Sequence, residues 1–95
     1  MSTVYILNRT RLIGENLEMH TRSTQAVCTE LDIAHREMME RVADEIGRLA
    51  RKGAREIYTT PLASNGNGIV IHYDDDEGVP MECYYQISTR ELISE

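Results

Sequence analysis

The side chains best suited to contact DNA lie between residues 35 and 52. In a helix seated in the major groove, arginine donates two hydrogen bonds to guanine and a carboxylate accepts one from cytosine. Four residues have the spacing to share the outward face of such a helix near its N-terminus: Arg36, Glu37, Glu40 and Arg41. The same spacing suits a helix with no ligand, because Glu37 and Arg41 form an acid-then-base pair four residues apart. Both interpretations stay open.

A basic cluster follows at the end of the same segment: Arg48, Arg51, Lys52 and Arg55. Such cations bind the phosphate backbone and add salt-dependent affinity without sequence information. They also suit a helix C-terminus in the absence of DNA, because the helix dipole favours positive charge there. His35, at the start of the segment, either contacts a phosphate or fixes a turn through a backbone hydrogen bond, and we expect the second role.

Acidic residues are concentrated in the last third of the chain. The 95-residue chain has a net charge of −6, and residues 57 to 95 carry seven acidic side chains against Arg90 alone. Four acids are consecutive: Asp74, Asp75, Asp76 and Glu77. At the tip of a DNA-binding hairpin these side chains would repel phosphates. We interpret the run as a solvated turn or, alternatively, as an acidic surface that faces a protein partner.

Hydrophobic spacing and turn residues predict strands and a first helix in the first third of the chain. The stretch TVYIL is rich in β-branched and aromatic residues and predicts a short strand, with a second strand ending near Met19. A hydroxyl of Thr21, Ser23 or Thr24 can cap a first helix that runs to about Leu31. Its inward face would be Val27, Cys28 and Leu31.

A second helix is predicted over roughly residues 35 to 51. Asp32 is placed to cap it, and its apolar residues recur at helical spacing: Met38, Val42, Ile46 and Leu49. Gly53 supplies a stop. The remaining pattern predicts a strand at REIYTT, a loop at PLASNGNG, and a β-hairpin made of IVIHY, the turn DDDEG and VPMECYYQIS.

This order of elements predicts an α+β fold of the winged helix-turn-helix type. Residues 1–95 would form a single domain with one or two short N-terminal strands, two core helices and a C-terminal β-hairpin as the wing. The helix-turn-helix would occupy about residues 24–51.

The segment TQAVCTELDIAHREMMERV resembles the helical motif of the phage regulatory protein Rha family, S-x-x-I-A-E-x-F-G-K-x-H-x-N-V-L-R-D-I. The matching positions are Thr24 for Ser, Val27 and Cys28 for Ile-Ala, Leu31 for Phe, His35 for His, and Met38, Met39 and Val42 for the apolar residues. The stretch VPMECYYQISTREL is similar to the Pro, Tyr and LTRDG ending of that family. The resemblance spans about residues 19–93 and implies a temperate-phage or prophage regulator with a DNA-binding domain.

Other classes of function find little support in the sequence. Cys28 and Cys83 lack the spacing of a redox or zinc motif, and we expect both to be reduced core thiols. The chain shows no catalytic triad motif or phosphate-binding glycine pattern, and YDDDEGVPME lacks the ligand spacing of a calcium loop. We therefore predict no enzyme, no cofactor and no metal site. The apolar run before Asn8 is too short for a signal peptide or a membrane span, which predicts a cytoplasmic protein of the bacterial host cell.

Two hypotheses of function follow. The first is a transcription regulator that binds duplex DNA as a homodimer, because one recognition helix covers only a short site. Its DNA-binding residues would be His35, Arg36, Glu37, Glu40, Arg41, Arg48, Arg51 and Lys52. The second is an acidic protein that inhibits or titrates a basic host or phage protein without binding DNA. Its partner-binding residues would be Asp74, Asp75, Asp76 and Glu77, and the acidic Glu37 and Glu40, which stand where the Rha motif has Asn and Arg, also favour it.

Overall fold

The chain forms one antiparallel sheet with a helix packed on one of its faces. The computed structural model describes residues 2–14, 16, 18–62 and 66–92. The elements in these residues are β1 (Ser2–Ile13), β2 (Glu18–Cys28), α1 (Leu31–Arg51), β3 (Arg55–Pro61), β4 (Gly68–Asp74) and β5 (Pro80–Leu92). The five strands lie side by side in the order β2-β1-β5-β4-β3.

The two longest strands, β1 and β5, form the middle of the sheet. They pair antiparallel along their whole length, from Ser2 opposite Leu92 to Ile13 opposite Met81. β2 extends the sheet beyond β1, and β4 and then β3 extend it beyond β5. Val, Ile, Thr and Tyr are frequent in these strands, and such side chains pack well on a pleated surface.

The hydrophobic core lies between α1 and the sheet face that the helix covers. From the helix, Ala34, Met38 and Val42 are buried in it. The sheet contributes Leu7, Cys28, Ile71, Tyr73, Met81, Cys83, Tyr85 and Ile87. The opposite side of the sheet, which we call the open face, carries the alternate residues, among them Ile6, Leu12, Met19, Val27, Tyr58, Val70, His72, Glu82 and Tyr84.

The predicted second helix is confirmed and is longer than expected. α1 begins at Leu31 rather than at residue 35, and it ends at Arg51 as predicted. Ala, Leu, Met, Glu and Arg, which have high helix propensity, make up most of it. Asp32 lies in the first helical turn instead of capping it. Gly53 follows the helix with φ 89°, a conformation that a residue without Cβ adopts freely.

The predicted first helix is wrong. Residues 24–28 belong to β2, and residues 29 and 30 form a bend before α1. The threonines and the valine of this segment suit a strand better than a helix. Two register shifts in the β1–β2 pairing, opposite Leu7/Asn8 and Arg11/Leu12, interrupt the alternation of side chains. Such β-bulges hide the period of two by which a strand is recognised in a sequence.

The predicted winged helix-turn-helix fold is therefore wrong, because the structure is mostly antiparallel sheet with one helix in the residues described. The predicted hairpin is present as β4 and β5, and its turn holds Gly78 at φ 83°. It is not a wing, since β5 pairs with β1 in the middle of the sheet. The N-terminal strand is not short either, because β1 continues beyond TVYIL to Ile13.

Several smaller predictions can be compared with the structure. Cys28 and Cys83 are free and buried, as predicted. The strand at REIYTT is confirmed as β3, which extends to Pro61. The predicted loop PLASNGNG falls partly outside the described residues, which resume at Gly66. No helix in the described part of the chain combines the length and the apolar character needed to span a bilayer.

Candidate functional site

The open face carries most of the exposed large hydrophobic side chains of the described residues. Met19 is 66% exposed, Val27 62%, Tyr58 57% and Leu92 49%. All four lie on the open face. Val27 pairs with Ile6, Met19 pairs with Leu12, and Tyr58 pairs with His72. Leu92 lies on the same side of the sheet because side chains alternate along β5. The remaining exposed large hydrophobic residue, Met39, lies on α1. Exposed apolar side chains gathered on one face are typical of an interaction surface.

An acidic pocket opens at one end of the open face. Its walls include three carboxylates and two rings, and we define the acidic pocket by Glu56, Tyr58, His72, Asp74 and Glu82. The cavity has a volume of about 260 Å³. Gly14, Tyr73, Pro80 and Met81 complete the lining. The described residues that line it include no lysine or arginine.

Neighbouring strands hold the side chains of the acidic pocket in one row. Tyr58 pairs with His72, and His72 pairs with Glu82, on β3, β4 and β5. The rings of Tyr58 and His72 stack with centroids 4.6 Å apart and an interplanar angle of 10°. His72 Nδ1 lies 2.8 Å from Glu82 Oε2, and His72 Nε2 lies 2.7 Å from the hydroxyl of Thr60. The imidazole is therefore held at both nitrogens.

A second hydroxyl fixes the same carboxylate. The Tyr84 hydroxyl donates a hydrogen bond of 2.8 Å to Glu82 Oε1. This hydrogen bond, together with burial, raises the pKa of Tyr84 above its ordinary value. With His72 on the other oxygen, both oxygens of Glu82 have a partner. The carboxylate is thus positioned before any ligand arrives.

The backbone at Glu56 is strained. Glu56 has φ 53°, a left-handed conformation that a residue with a Cβ adopts at a cost of about 1 kcal/mol or more. It lies in the irregular stretch of β3 between Arg55 and Tyr58, where the pairing with β4 shifts register. The bulge brings an exposed glutamate to the rim of the acidic pocket. Strain of this kind is concentrated at functional sites.

The order Thr60, His72, Glu82 is that of a nucleophile, a base and an orienting acid in a hydrolase. Thr60 is not among the residues that line the acidic pocket, so its hydroxyl does not face the cavity in which a substrate would lie. His72 and Glu82 are directly opposite each other on β4 and β5. The pairing of neighbouring strands explains why these side chains lie in one row. We infer that the row holds the Tyr58 ring and the Glu82 carboxylate in position.

The chemistry of the acidic pocket suits a cation. Carboxylates accept charge-assisted hydrogen bonds from an ammonium or guanidinium group. The exposed ring of Tyr58 adds a π face on which a cation can rest. The described side chains contain no group of three or more His, Cys, Asp or Glu with the geometry to hold a metal ion. The carboxylates and the π face together suit an organic cation such as a lysine or arginine side chain.

A separate buried network lies on the helix side of the sheet. Glu45 of α1 is only 2% exposed, and its Oε1 accepts hydrogen bonds from Arg9 Nε at 2.8 Å and from the Tyr85 hydroxyl at 3.2 Å. Arg48 pairs with the other oxygen. Burial alone raises the pKa of Glu45, but the hydrogen bonds from Arg48 and Arg9 outweigh it, so the pKa lies below its ordinary value. This network ties α1 to the sheet.

Two acidic groups around Glu45 are held in their neutral forms. Burial raises the pKa of the Cys83 thiol to about 12 and that of the Tyr85 hydroxyl to about 12, and the charge of Glu45 adds to both shifts. Cys83 donates a weak hydrogen bond from Sγ to Glu45 Oε1 at 3.5 Å. A thiol that stays protonated is a poor nucleophile, so Cys83 is a structural cysteine.

The predicted DNA-binding residues of α1 differ in their surroundings. Arg41, Arg48 and Lys52 line cavities between α1 and the sheet. Arg36, Glu40 and Arg51 are exposed elsewhere on the helix. Glu37 forms the predicted ion pair with Arg41 at 3.5 Å. His35 Nε2 is hydrogen bonded to Oδ1 of Asn67 at 2.7 Å, so the histidine fixes a loop through a side chain rather than through the predicted backbone contact.

The predicted partner-binding acids divide between two roles. Asp74 is part of the acidic pocket. Asp75 Oδ1 accepts hydrogen bonds from the backbone amides of Glu77 and Val79, so this carboxylate stabilises the β4–β5 turn. Asp76 and Glu77 are exposed, and Asp75 and Asp76 also line a cavity beside α1. The run DDDEG is therefore partly a solvated turn and partly the wall of a pocket.

Sequence reasoning missed Glu56, Tyr58, His72 and Glu82. A signal for two of them was present, because residues at equal distances from a hairpin turn face each other. His72 and Glu82 are equally far from the centre of the turn in DDDEG and are cross-strand partners. Glu56 gave no such signal, since its position depends on the bulge in β3.

Comparison with known proteins gives no match, whether to protein-family models, to curated proteins or to solved structures.

Proposed function

We propose that this protein binds a basic protein partner on its open face, with a lysine or arginine side chain of the partner in the acidic pocket. The observation that carries the proposal is the pocket itself, in which three carboxylates surround a stacked aromatic pair without a neighbouring cation among the described lining residues. A partner side chain would supply the missing positive charge.

The exposed hydrophobic residues support the same surface. Met19, Leu12 and Glu82 belong to one cross-strand row with His72 and Tyr58. The apolar side chains of Leu12 and Met19 therefore extend this surface from the pocket to the edge strand β2. Protein interfaces combine a few buried anchor residues with surrounding contacts that exclude water. The pocket would take the anchor, and the apolar row would exclude water around it.

The charge of the whole chain supports a basic partner as well. A net charge of −6 on 95 residues creates a field that speeds encounter with positively charged proteins. Basic surfaces are commonly used to bind nucleic acid. A small acidic protein that occupies such a surface would inhibit or titrate its partner. The free thiols Cys28 and Cys83 suit a reducing compartment, which agrees with an encounter in the cytoplasm.

The test is a titration of the full-length protein into a fluorescein-labelled tetra-arginine peptide, followed by fluorescence anisotropy. Asp74→Asn removes a charge from the acidic pocket, and Glu77→Gln removes the same charge from an exposed turn position outside it. We expect Asp74→Asn to weaken binding about tenfold and Glu77→Gln less than about twofold. Tyr58→Ala, which leaves the net charge unchanged, should weaken binding about as much as Asp74→Asn does.

Equal losses in Asp74→Asn and Glu77→Gln would show that the peptide responds to total charge and not to the pocket. Unchanged binding in Tyr58→Ala would remove the ring from the site. Circular dichroism of each variant checks that the fold is intact before its affinity is compared.

DNA binding through a helix-turn-helix is not part of this proposal. Its first helix is strand β2 in the structure, and three of its predicted contact residues, Arg41, Arg48 and Lys52, line cavities between α1 and the sheet. The expected homodimer rested on the short footprint of one recognition helix, and that reason is lost with the fold. The phage origin implied by the Rha resemblance stays a prediction.

A further inference from the structure

A groove lined by arginines lies on the other side of the molecule, between α1 and strands β1 and β2. Two adjoining cavities of about 260 and 340 Å³ form it, and they share Arg9, Glu45 and Arg48 in their walls. We define the arginine groove by its five cations, Arg9, Arg11, Arg41, Arg48 and Lys52. Four carboxylates, those of Asp44, Glu45, Asp75 and Asp76, line the same two cavities, so the cations exceed the acids by one. Three of the cations, Arg41, Arg48 and Lys52, are among the predicted DNA-binding residues, and Arg9 and Arg11 of β1 complete the set.

The positions of these cations follow from the two elements that carry them. Arg9 and Arg11 are two residues apart on β1, so their side chains share the face of the strand that α1 covers. Arg41, Arg48 and Lys52 are seven and four residues apart, which places them along one stripe of the helix and its cap. That stripe spans about 16 Å at 1.5 Å per residue. The groove is therefore longer than a single small anion.

Glu45 holds two of the arginines in place. Arg9 contacts Glu45 through Nε and Nη2, and Arg48 contacts it through Nη2. A guanidinium group has five N–H donors, so both side chains retain donors beyond those directed at Glu45. Because the carboxylate is buried, it fixes the arginines without occupying the groove as an exposed acid. Their positions are set before a ligand binds.

Two other arginines have donors without a protein acceptor. The Nε atoms of Arg11 and Arg41 are buried and have no hydrogen-bond partner among the described residues. A buried donor left unpaired costs about 1–3 kcal/mol. Arg11 lies at one end of the groove and Arg41 at the other. Because these Nε atoms are enclosed, a ligand in the groove would contact the remaining N–H groups of the two guanidinium groups.

We propose that the arginine groove binds phosphate esters. Planar guanidinium groups bind phosphate through paired hydrogen bonds, which makes arginine the preferred residue for this ligand. The length of the stripe suits a ligand with more than one phosphate. The phosphates belong either to a small phosphorylated molecule or to the backbone of a nucleic acid. This site is independent of the acidic pocket, which lies on the opposite face of the sheet.

The experiment measures the binding of two probes to the full-length protein by NMR titration of backbone amides. One probe is AMP, and the other is a single-stranded oligonucleotide of mixed sequence, tested at low and high salt. Saturable shifts at residues 9–11, 41, 48 and 52 with either probe are the expected result. Tighter binding of the oligonucleotide with steep salt dependence identifies a nucleic-acid backbone, and comparable affinities identify a small phosphorylated ligand.

A matched pair of variants completes the test. Arg11→Gln removes a groove cation, and Arg22→Gln removes an exposed arginine of β2 that pairs with Thr10 on the open face. We expect Arg11→Gln to weaken binding at least about tenfold and Arg22→Gln less than about twofold. Arg41→Gln is the second groove variant if Arg11→Gln does not fold. Absence of saturable binding by both probes, or equal losses in the groove and Arg22 variants, would overturn the proposal.

Discussion

Glu45 shows how a single residue links the sequence to the fold. It lies at a position of α1 that the helical pattern directs toward the sheet, between the buried Val42 and the partly buried Ile46, and yet it is charged. Arginines from β1 and from the next helical turn meet it. Because a buried carboxylate is tolerated only when paired, these contacts fix the helix on the sheet.

Replacement of Glu45 by Gln should lower stability in a pH-dependent way. Removing one partner of a buried ion pair costs about 3 kcal/mol of unfolding free energy, and we expect this loss at pH 7. The pKa of Glu45 is lowered in the folded state, so its contribution is complete above its unfolded value of about 4.3 and is lost as the pH falls through the lower folded value. Urea unfolding of both proteins at pH 7 and in acid measures the difference.

The control for this prediction is Asp44→Asn, which removes the charge of the exposed neighbouring residue. It should change the unfolding free energy by less than about 0.5 kcal/mol. A difference between wild type and Glu45→Gln that stays constant from neutral to acid pH would show that Glu45 is not stabilised in its charged form.

Glu56 should show a conflict between stability and binding. Glycine adopts the observed φ of 53° without a steric cost, so we expect Glu56→Gly to raise the unfolding free energy by up to about 1 kcal/mol. The same change removes a carboxylate from the acidic pocket and should weaken binding of the tetra-arginine peptide. Urea unfolding and anisotropy measure the two effects. A variant that is more stable and binds equally well would exclude Glu56 from the site.

At the scale of elements, the two glycines near the end of α1 should respond in opposite ways to alanine. Gly47 lies inside the helix, and an added Cβ would meet Arg51 Nη1 at an ordinary 3.4 Å. We expect Gly47→Ala to stabilise by about 0.5–1 kcal/mol. Gly53 has φ 89°, so Gly53→Ala should destabilise by about 1 kcal/mol. Thermal unfolding measures both, and a stabilising Gly53→Ala would mean that α1 does not end at this left-handed residue.

The elements differ in how well the sequence predicts them. Helix α1 is recognisable because Met38, Val42, Ile46 and Leu49 repeat at helical spacing over several turns. The β4–β5 hairpin is recognisable from its turn. Strand β2 is not, since two bulges disturb its alternation and its hydroxyl-rich residues 21–24 fit a helix cap equally well. That one error changed the predicted fold, because a helix in place of β2 completes a helix-turn-helix.

The candidate site could be predicted only in part, because several of its residues come from segments that are distant in the sequence. Asp74 was found because the acidic run is visible in the sequence. Tyr58 and His72 come together through the pairing of β3 with β4, and the loop between those strands gives no register. Arg9 and Arg11 join the helix cations only because the β1–β2 hairpin lies beside α1. Contacts between distant segments depend on topology, which local patterns do not specify.

At the scale of the whole molecule, the two faces of the sheet carry opposite chemistry. The open face combines apolar side chains with the acidic pocket, and the helix side holds the arginine groove. The molecule is also long, with a largest dimension of 52 Å, because β1 and β5 pair over their full length. An elongated shape with separate faces allows two ligands to bind at once.

Salt should weaken the binding of the tetra-arginine peptide without abolishing it. The long-range attraction of the acidic chain is screened when the Debye length falls to about 8 Å near physiological ionic strength. Contacts inside the pocket are shorter than this distance and are screened less. We expect the tetra-arginine peptide to lose affinity between low and physiological salt and then to retain a residual affinity that depends on Tyr58. Anisotropy titrations of wild type and Tyr58→Ala over a salt series measure it, and complete loss of binding in both would contradict a contribution from the pocket.

The most direct test of the proposed function is an NMR map of where the tetra-arginine peptide binds. We expect amide shifts to be concentrated at residues 56–58, 72–74 and 82, with smaller changes along the open face toward residue 19. Shifts spread evenly over all exposed acidic residues, or centred on α1, would contradict it.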